Sequence, residues 1–184
     1  MMRDRRAPTP GCLHRAQVES PAVPPRLPHP VPFVLECSIE IDAPVERVFR
    51  FHLDTRNAPL ISPPQTRIVS IDGEFPVHEG SIVRMTVKSP PLPRPMEWVM
   101  RVDAVVPNRA LIDVAIRCPF PTWRHEHRFE PLGRDRMRLT DRVTYTLPGG
   151  PLGAIANRVM VHKMLERSFR QRQANTKTLM ERRS

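Results

Sequence analysis

Residues 123–147 read WRHEHRFEPLGRDRMRLTDRVTYTL, and their alternation decides the fold. Trp123, His125, His127 and Phe129 share one parity, against Arg124, Glu126 and Arg128 on the other. A turn is predicted in PLGRD, with Gly133 near its tip. Beyond it, Met137, Leu139, Asp141, Val143, Tyr145 and Leu147 again share one parity. Period-two alternation of this kind predicts a hairpin of half-buried strands in an antiparallel sheet with one wet face. The chemistry breaks the pattern, because His125, His127 and Asp141 stand on the apolar side. Pairing Phe129 with Met137 sets His127 opposite Leu139, His125 opposite Asp141 and Trp123 opposite Val143. Facing residues on one side of a sheet lie about 5 Å apart at Cβ, so His125 and Asp141 are expected partners. Asp141 is expected to hold one ring nitrogen of His125, fix its tautomer and favour its protonated form. The pair reads either as a satisfied core contact or as a polar anchor or acid–base dyad in a cavity.

Outward from this hairpin, the same alternation recurs. FVLECSIEI (33–41) sets Phe33, Leu35, Cys37, Ile39 and Ile41 on one face. Further strands are predicted in TRIVSID, GSIVRMTVKS, PMEWVMRVDAVV and ALIDVAIR. In the last of these, Ile112, Val114 and Ile116 are taken as the apolar face. DAPVERVF (42–49) starts a short helix, with Pro44 suited to the first turn and Val45, Val48, Phe49 and Leu53 as its stripe. After PGGPLG, residues 151–182 hold no proline beyond Pro151 and no glycine beyond Gly153. They predict one helix of about 30 residues, long enough to cross a small sheet. Its stripe begins with Leu152, Ile155, Ala156, Val159 and Met160 and continues through Leu165, Phe169, Leu179 and Met180. The architecture expected is α+β: about six to seven antiparallel strands curved around a long C-terminal helix, with short helices after the first strand. A concave sheet gripping one helix leaves a void between them, which is the candidate site.

Composition bounds the rest. The 184-residue chain carries a net charge of +10, unevenly spread. Residues 1–32 hold five arginines against Asp4 and Glu19, or +3. Residues 33–150 hold 16 Lys+Arg against 15 Asp+Glu, or +1, and residues 151–184 hold eight against Glu166 and Glu181, or +6. A basic terminal helix without interleaved aromatics reads first as a solvated face. It leaves a weaker option of docking on rRNA or an anionic membrane. Residues 1–32, with eight prolines, read as an extended or disordered tail, and 33–184 as the folded domain. The scattered Cys12, Cys37 and Cys118 suggest neither zinc fingers nor a disulfide framework, and a cytoplasmic setting is expected. No secretory signal is expected, because no apolar segment follows the N-terminal charges.

The stretches SIEIDAPVERVFRF (38–51), HRFEPLGRDRMRLTDRVTYTLPGGPLG (127–153) and FRQRQANTKTL (169–179) resemble the helix-grip superfamily. That superfamily includes START lipid-transfer, birch-pollen-allergen-like and polyketide cyclase/dehydrase-like proteins, together called SRPBCC. The resemblance implies a container for a small hydrophobic molecule such as a lipid, quinone or polyketide. Candidate lining residues are Met85, Met96, Trp98, Met100 and Trp123, with Ile112, Val114, Val143 and Tyr145 from the sheet and Ile155 and Val159 from the helix. His125, His127 and Asp141 supply the polar groups. An enzyme of the cyclase/dehydrase kind would use His125, Asp141 and Tyr145. No cofactor is expected. No metal site is expected either, because no third ligand is visible beside the two histidines and Asp141.

Overall fold

The computed structural model describes residues 31–90 and 94–182. The tail assigned to residues 1–32 lies almost wholly outside the described residues. Seven antiparallel strands form one sheet in the order β1-β7-β6-β5-β4-β3-β2. They are β1 (Phe33–Ile41), β2 (Arg67–Asp72), β3 (Ile82–Lys88), β4 (Met96–Val106), β5 (Ala110–Arg117), β6 (Trp123–Pro131) and β7 (Met137–Tyr145). Between β1 and β2 lie α1 (Val45–Leu53), a 3-10 turn (Thr55–Asn57) and α2 (Ala58–Ile61). The chain ends in α3 (Gly150–Ala156), a π-helical stretch (Asn157–Val161) and α4 (His162–Glu181). This is the expected α+β helix-grip arrangement.

β1, β6 and β7 bury one parity, as their alternation predicts. β2 achieves the same result through a bulge. Ile68 and Ile71 are three apart, so a regular strand would turn them to opposite faces. The register shift between Ile68 and Ser70 absorbs Val69, which is exposed. Ile68 then reaches the cavity and Ile71 the core.

The β6–β7 hairpin differs from the sequence expectation by two residues. Pro131 faces Met137, and the loop is closed by the Leu132 N–H donating to the Arg136 carbonyl (2.9 Å). His127 therefore faces Asp141, His125 faces Val143 and Trp123 faces Tyr145. A slip of two keeps every side chain on its own face, which is why the alternation could not detect it. β5 is a larger correction. Asp113 pairs with His125 and Leu111 with His127, so these two residues face the concave side. Ile112 and Val114 fall on the convex side with Ile116, which is 60% exposed.

The long helix is also corrected. Leu152, Ile155, Val159 and Met160 are exposed, and the inner face runs through Gly153, Asn157, Leu165, Phe169, Gln173, Thr176 and Met180. That face repeats nearly every four residues. A regular α-helix drifts about 40° per four residues, and the π stretch at 157–161 takes up the drift over the first turns. Its N-terminal part packs by small and polar groups rather than by the apolar stripe. Gly153 is required because a Cβ there would collide with the Pro148 carbonyl. Gly153→Ala is expected to destabilise the fold by about 1–3 kcal/mol, read as a lower denaturant midpoint at unchanged slope.

Candidate functional site

A cavity of about 360 Å³ lies between the concave face of the sheet and α4, flanked by the α1–α2 segment. Its wall is mostly apolar: Phe51, Ile61, Val83, Met85, Trp98, Met100, Trp123, Leu165 and Phe169 all contribute. Trp98 meets Trp123 edge to face with ring centres 5.2 Å apart, an arrangement that fixes both rings.

One end of the cavity is polar, and the sheet register builds it. Val102, Asp113, His125 and Val143 form one row across β4, β5, β6 and β7. Leu111, His127, Asp141 and Cys37 form the next row, across β5, β6, β7 and β1. Asp113 and His125 in one row thus adjoin His127 and Asp141 in the other. Asp141 sits behind the histidines and out of the cavity, 2% exposed. His125 Nε2 bonds Asp141 Oδ1 at 3.0 Å, diagonally across the strands. Gln173 Nε2 on α4 donates to Asp141 Oδ2 (2.7 Å) and to the Cys37 carbonyl (2.9 Å). His127 Nδ1 lies 2.7 Å from Asp141 Oδ1 but out of line with it, and makes no hydrogen bond. Phe169 caps His125 edge-on with ring centres 5.1 Å apart, and His52 lies at the same distance from His127.

Burial sets the protonation of this cluster. Loss of solvation is the largest influence on His125 and lowers its pKa, while the Asp141 contact pulls the other way, toward the protonated form. His127 is lowered in the same way, by burial and then by His125. His52 is pushed down to about 3 by burial and by His127, and its Nδ1–H donates to the Val48 carbonyl (2.8 Å). Burial also opposes the charge on Asp141, but the facing His127 and the contacts from both histidines hold it well below the usual carboxylate range. Asp113 has no such partners. Burial raises it to about 6, against the pull of His127 and Arg172.

The other expected site residues divide clearly. Met85, Met96, Trp98, Met100, Trp123, His125 and His127 line the cavity. Ile112 and Val114 face away from it, and Ile155 and Val159 are exposed. Val143 is packed beneath the wall with no exposed surface. Tyr145 is equally buried, and its hydroxyl donates to Asn157 Oδ1 (2.7 Å) instead of reaching the cavity. The sequence reading missed Asp113, His52, Arg172 and Gln173. Two of these had a signal, a polar residue on an apolar helical stripe. His52 is four residues after Val48, and Gln173 is four after Phe169. Asp113 was hidden by its apolar neighbours Ile112 and Val114.

The profile of one protein family, described as polyketide cyclase / dehydrase and lipid transport, matches residues 32–181. The chain belongs to this family. No curated protein matched the chain in a sequence comparison. Among solved structures, it resembles the di-domain ARO/CYC protein StfQ from the steffimycin biosynthetic pathway, with TM-score 0.67 and 14% identity. That match covers 82% of this chain and 51% of StfQ, so the chain spans about half of that protein. A norcoclaurine synthase point mutant from Thalictrum flavum, in complex with a transition-state analogue, gives 0.61 at 14% identity over 83% of this chain and 96% of that one. Major latex-like protein 151 from Panax ginseng gives 0.64 at 12% identity over 82% and 99%. These likenesses establish the helix-grip fold anticipated from the sequence. Family and cavity together indicate hydrophobic-ligand binding as the general class of function.

Three stability effects follow from these buried groups. Asp141→Ala strands the buried donors of His125 and Gln173 and is expected to cost about 3–5 kcal/mol. Tyr145→Phe, which removes one hydrogen bond, is expected to cost about 1 kcal/mol. Asp113→Asn removes a carboxylate that burial disfavours and is expected to stabilise the protein by about 1 kcal/mol at neutral pH. Chemical denaturation of the three variants reads all of these.

Proposed function

We propose that the protein binds, and carries or sequesters, a small hydrophobic molecule such as a lipid, quinone or polyketide with an oxygen function at one end. The observation that carries this is the division of the cavity wall. A mostly apolar cup of about 360 Å³ carries Asp113, His125 and His127 clustered on its sheet wall, with Arg172 also lining it from α4. Ligand pockets of about 300–1,000 Å³ with a few convergent polar groups are the usual form of small-molecule sites. The methionines along the wall adapt to irregular ligands. Carbonyl or hydroxyl oxygens would bond at the polar end, and an acidic one would pair with Arg172. The buried Cys37 thiol and Cys118 are free, which supports a reducing compartment such as the cytoplasm.

Native mass spectrometry of protein purified from cells should show an adduct of lipid, quinone or polyketide mass. Titration with such compounds in the presence of EDTA should quench Trp98 and Trp123, which lie on the wall. Ser168→Trp, on the cavity face of α4, fills the cup and is expected to abolish quenching while the far-UV spectrum is retained. Absence of any adduct, together with no quenching or thermal shift across the panel, would sink the proposal.

A second reading is an enzyme of the cyclase/dehydrase kind, favoured by His127 and Asp113 standing on the cavity wall. They would move protons on a bound polyketide, with Asp141 holding His125 in place. Turnover of a model polyketide that vanishes in both Asp113→Asn and His127→Ala, with the fold intact, supports that reading; equal turnover in both removes it.

A further inference from the structure

We propose that Asp113, His125 and His127 form a binding site for a divalent first-row transition-metal ion at the polar end of the cavity. Ligand atoms of the three side chains all lie within 4.8 Å of one another. The sequence reading had excluded a metal for want of a third ligand. The observed β5 register supplies it, by turning Asp113 inward beside His125.

The hydrogen bonding points the same way. His125 gives its Nε2 to the Asp141 carboxylate, so Nε2 carries the proton and Nδ1 keeps a lone pair. That Nδ1 lies 3.9 Å from Asp113 Oδ2. Two atoms able to ligate a metal thus face each other. In a four-coordinate shell with bonds of about 2.0–2.1 Å, neighbouring donor atoms sit about 3.3 Å apart. Small side-chain rotations close the difference. His127 is 97% buried, as its 3% exposure shows, yet its Nδ1 has no hydrogen-bond partner. Its Nδ1 is turned to Asp141, which leaves Nε2 as its free ligand atom. The Asp141 carboxylate holds His125 through Nε2 and lies 2.7 Å from His127 Nδ1, so each ring has its other nitrogen for the centre. Histidine ligands are commonly oriented by such a carboxylate.

Charge balance supports a cation. Asp113, as its carboxylate, and Asp141 place two negative charges beside the histidines, and Arg172 and the more weakly acting Arg124 oppose the charge on Asp113. A divalent ion there would be held by Asp113 with Asp141 behind the rings, and would draw an anionic oxygen on the cavity side. Two imidazoles and one carboxylate are borderline-to-hard ligands suited to zinc or ferrous iron. Three protein ligands leave at least one position open, the pattern of reactive rather than structural metal sites. The ligand would thus bring an acidic or enolic oxygen to the metal.

The test uses the untagged chain stripped with EDTA and titrated with Co²⁺, then with Zn²⁺ in competition. The expected result is one equivalent of cobalt with a visible d–d band, displaced by one equivalent of zinc. Asp113→Asn and His127→Ala are each expected to abolish the band. Asp113→Asn is the decisive variant, because it is expected to fold at least as stably as the native chain. Asp141→Asn is expected to weaken binding by about 10–100-fold, and His78→Ala, at an exposed histidine, to leave it unchanged. The proposal fails if the native chain shows no saturable binding, or if Asp113→Asn and His127→Ala bind as the native chain does. Because apolar binding is read in EDTA, failure of one proposal leaves the other standing.

Discussion

The structure turns on a single buried carboxylate. An ionised Asp141 at 2% exposure is tolerable only if its lone pairs are occupied, since an unpaired charge in such a place costs several kcal/mol. Its hydrogen-bond partners come from separate elements, His125 from β6 and Gln173 from α4, with His127 Nδ1 close by at 2.7 Å. Gln173 also reaches the backbone of β1 through the Cys37 carbonyl. One side chain thus fixes the hairpin, the edge strand and the rotation of the terminal helix about its own axis. Apolar contacts alone would leave that rotation loosely specified, because Leu165, Phe169 and Met180 can pack in several related ways. Directional hydrogen bonds do not slide.

The same carboxylate limits how far the site could be read from the sequence. Strand identity was legible in β1, β6 and β7, where polar and apolar residues alternate along most of each strand. His125, His127 and Asp141 stood out there because they occupied apolar parity. The pairing partner was not legible. A hairpin shifted by two presents the same faces, and the observed register is the one closed by the loop hydrogen bond between Leu132 and Arg136. In β5 the signal inverted. Ile112, Val114 and Ile116 formed the more hydrophobic parity, yet pairing with β4 and β6 turned Leu111 and Asp113 inward. A strand of nearly uniform hydrophobicity has no preferred face of its own, and its neighbours choose for it. The residue misplaced in this way is the one that completes the polar group.

The terminal helix shows a similar override. Its first apolar stripe predicted burial of Ile155 and Val159, but the chain enters the helix through Gly149 and Gly150, both with positive φ. That entry presses Gly153 against the Pro148 carbonyl and sets Asn157 under the Tyr145 hydroxyl. Once those contacts are made, the stripe must face outward, and the π stretch returns the later turns to the sheet. Periodicity finds the helix, but the entry contacts decide which face is buried. Tyr145 belongs to this junction, which explains why its hydroxyl was unavailable to the cavity.

Apolar packing is divided along the molecule, and the division makes the cavity affordable in stability. One cluster joins Ile41, Val48, Phe49, Phe129, Met137 and Leu139 with Met180 from the end of α4. The other joins Leu35, Met100, Trp123, Val143 and Tyr145 with Leu165 and Phe169. The first is closed off by α1, whose Phe49 packs edge to face on Phe129. The second lies against the cavity, and its aromatic rings form part of the wall. Gln173 and Thr176, polar and almost fully buried, lie on α4 between the two. A helix spanning both clusters transfers the rigidity of the filled end to the hollow one. Side chains around the void can then hold their positions without a ligand to support them. That is the condition for polar groups to converge on a guest they have yet to meet.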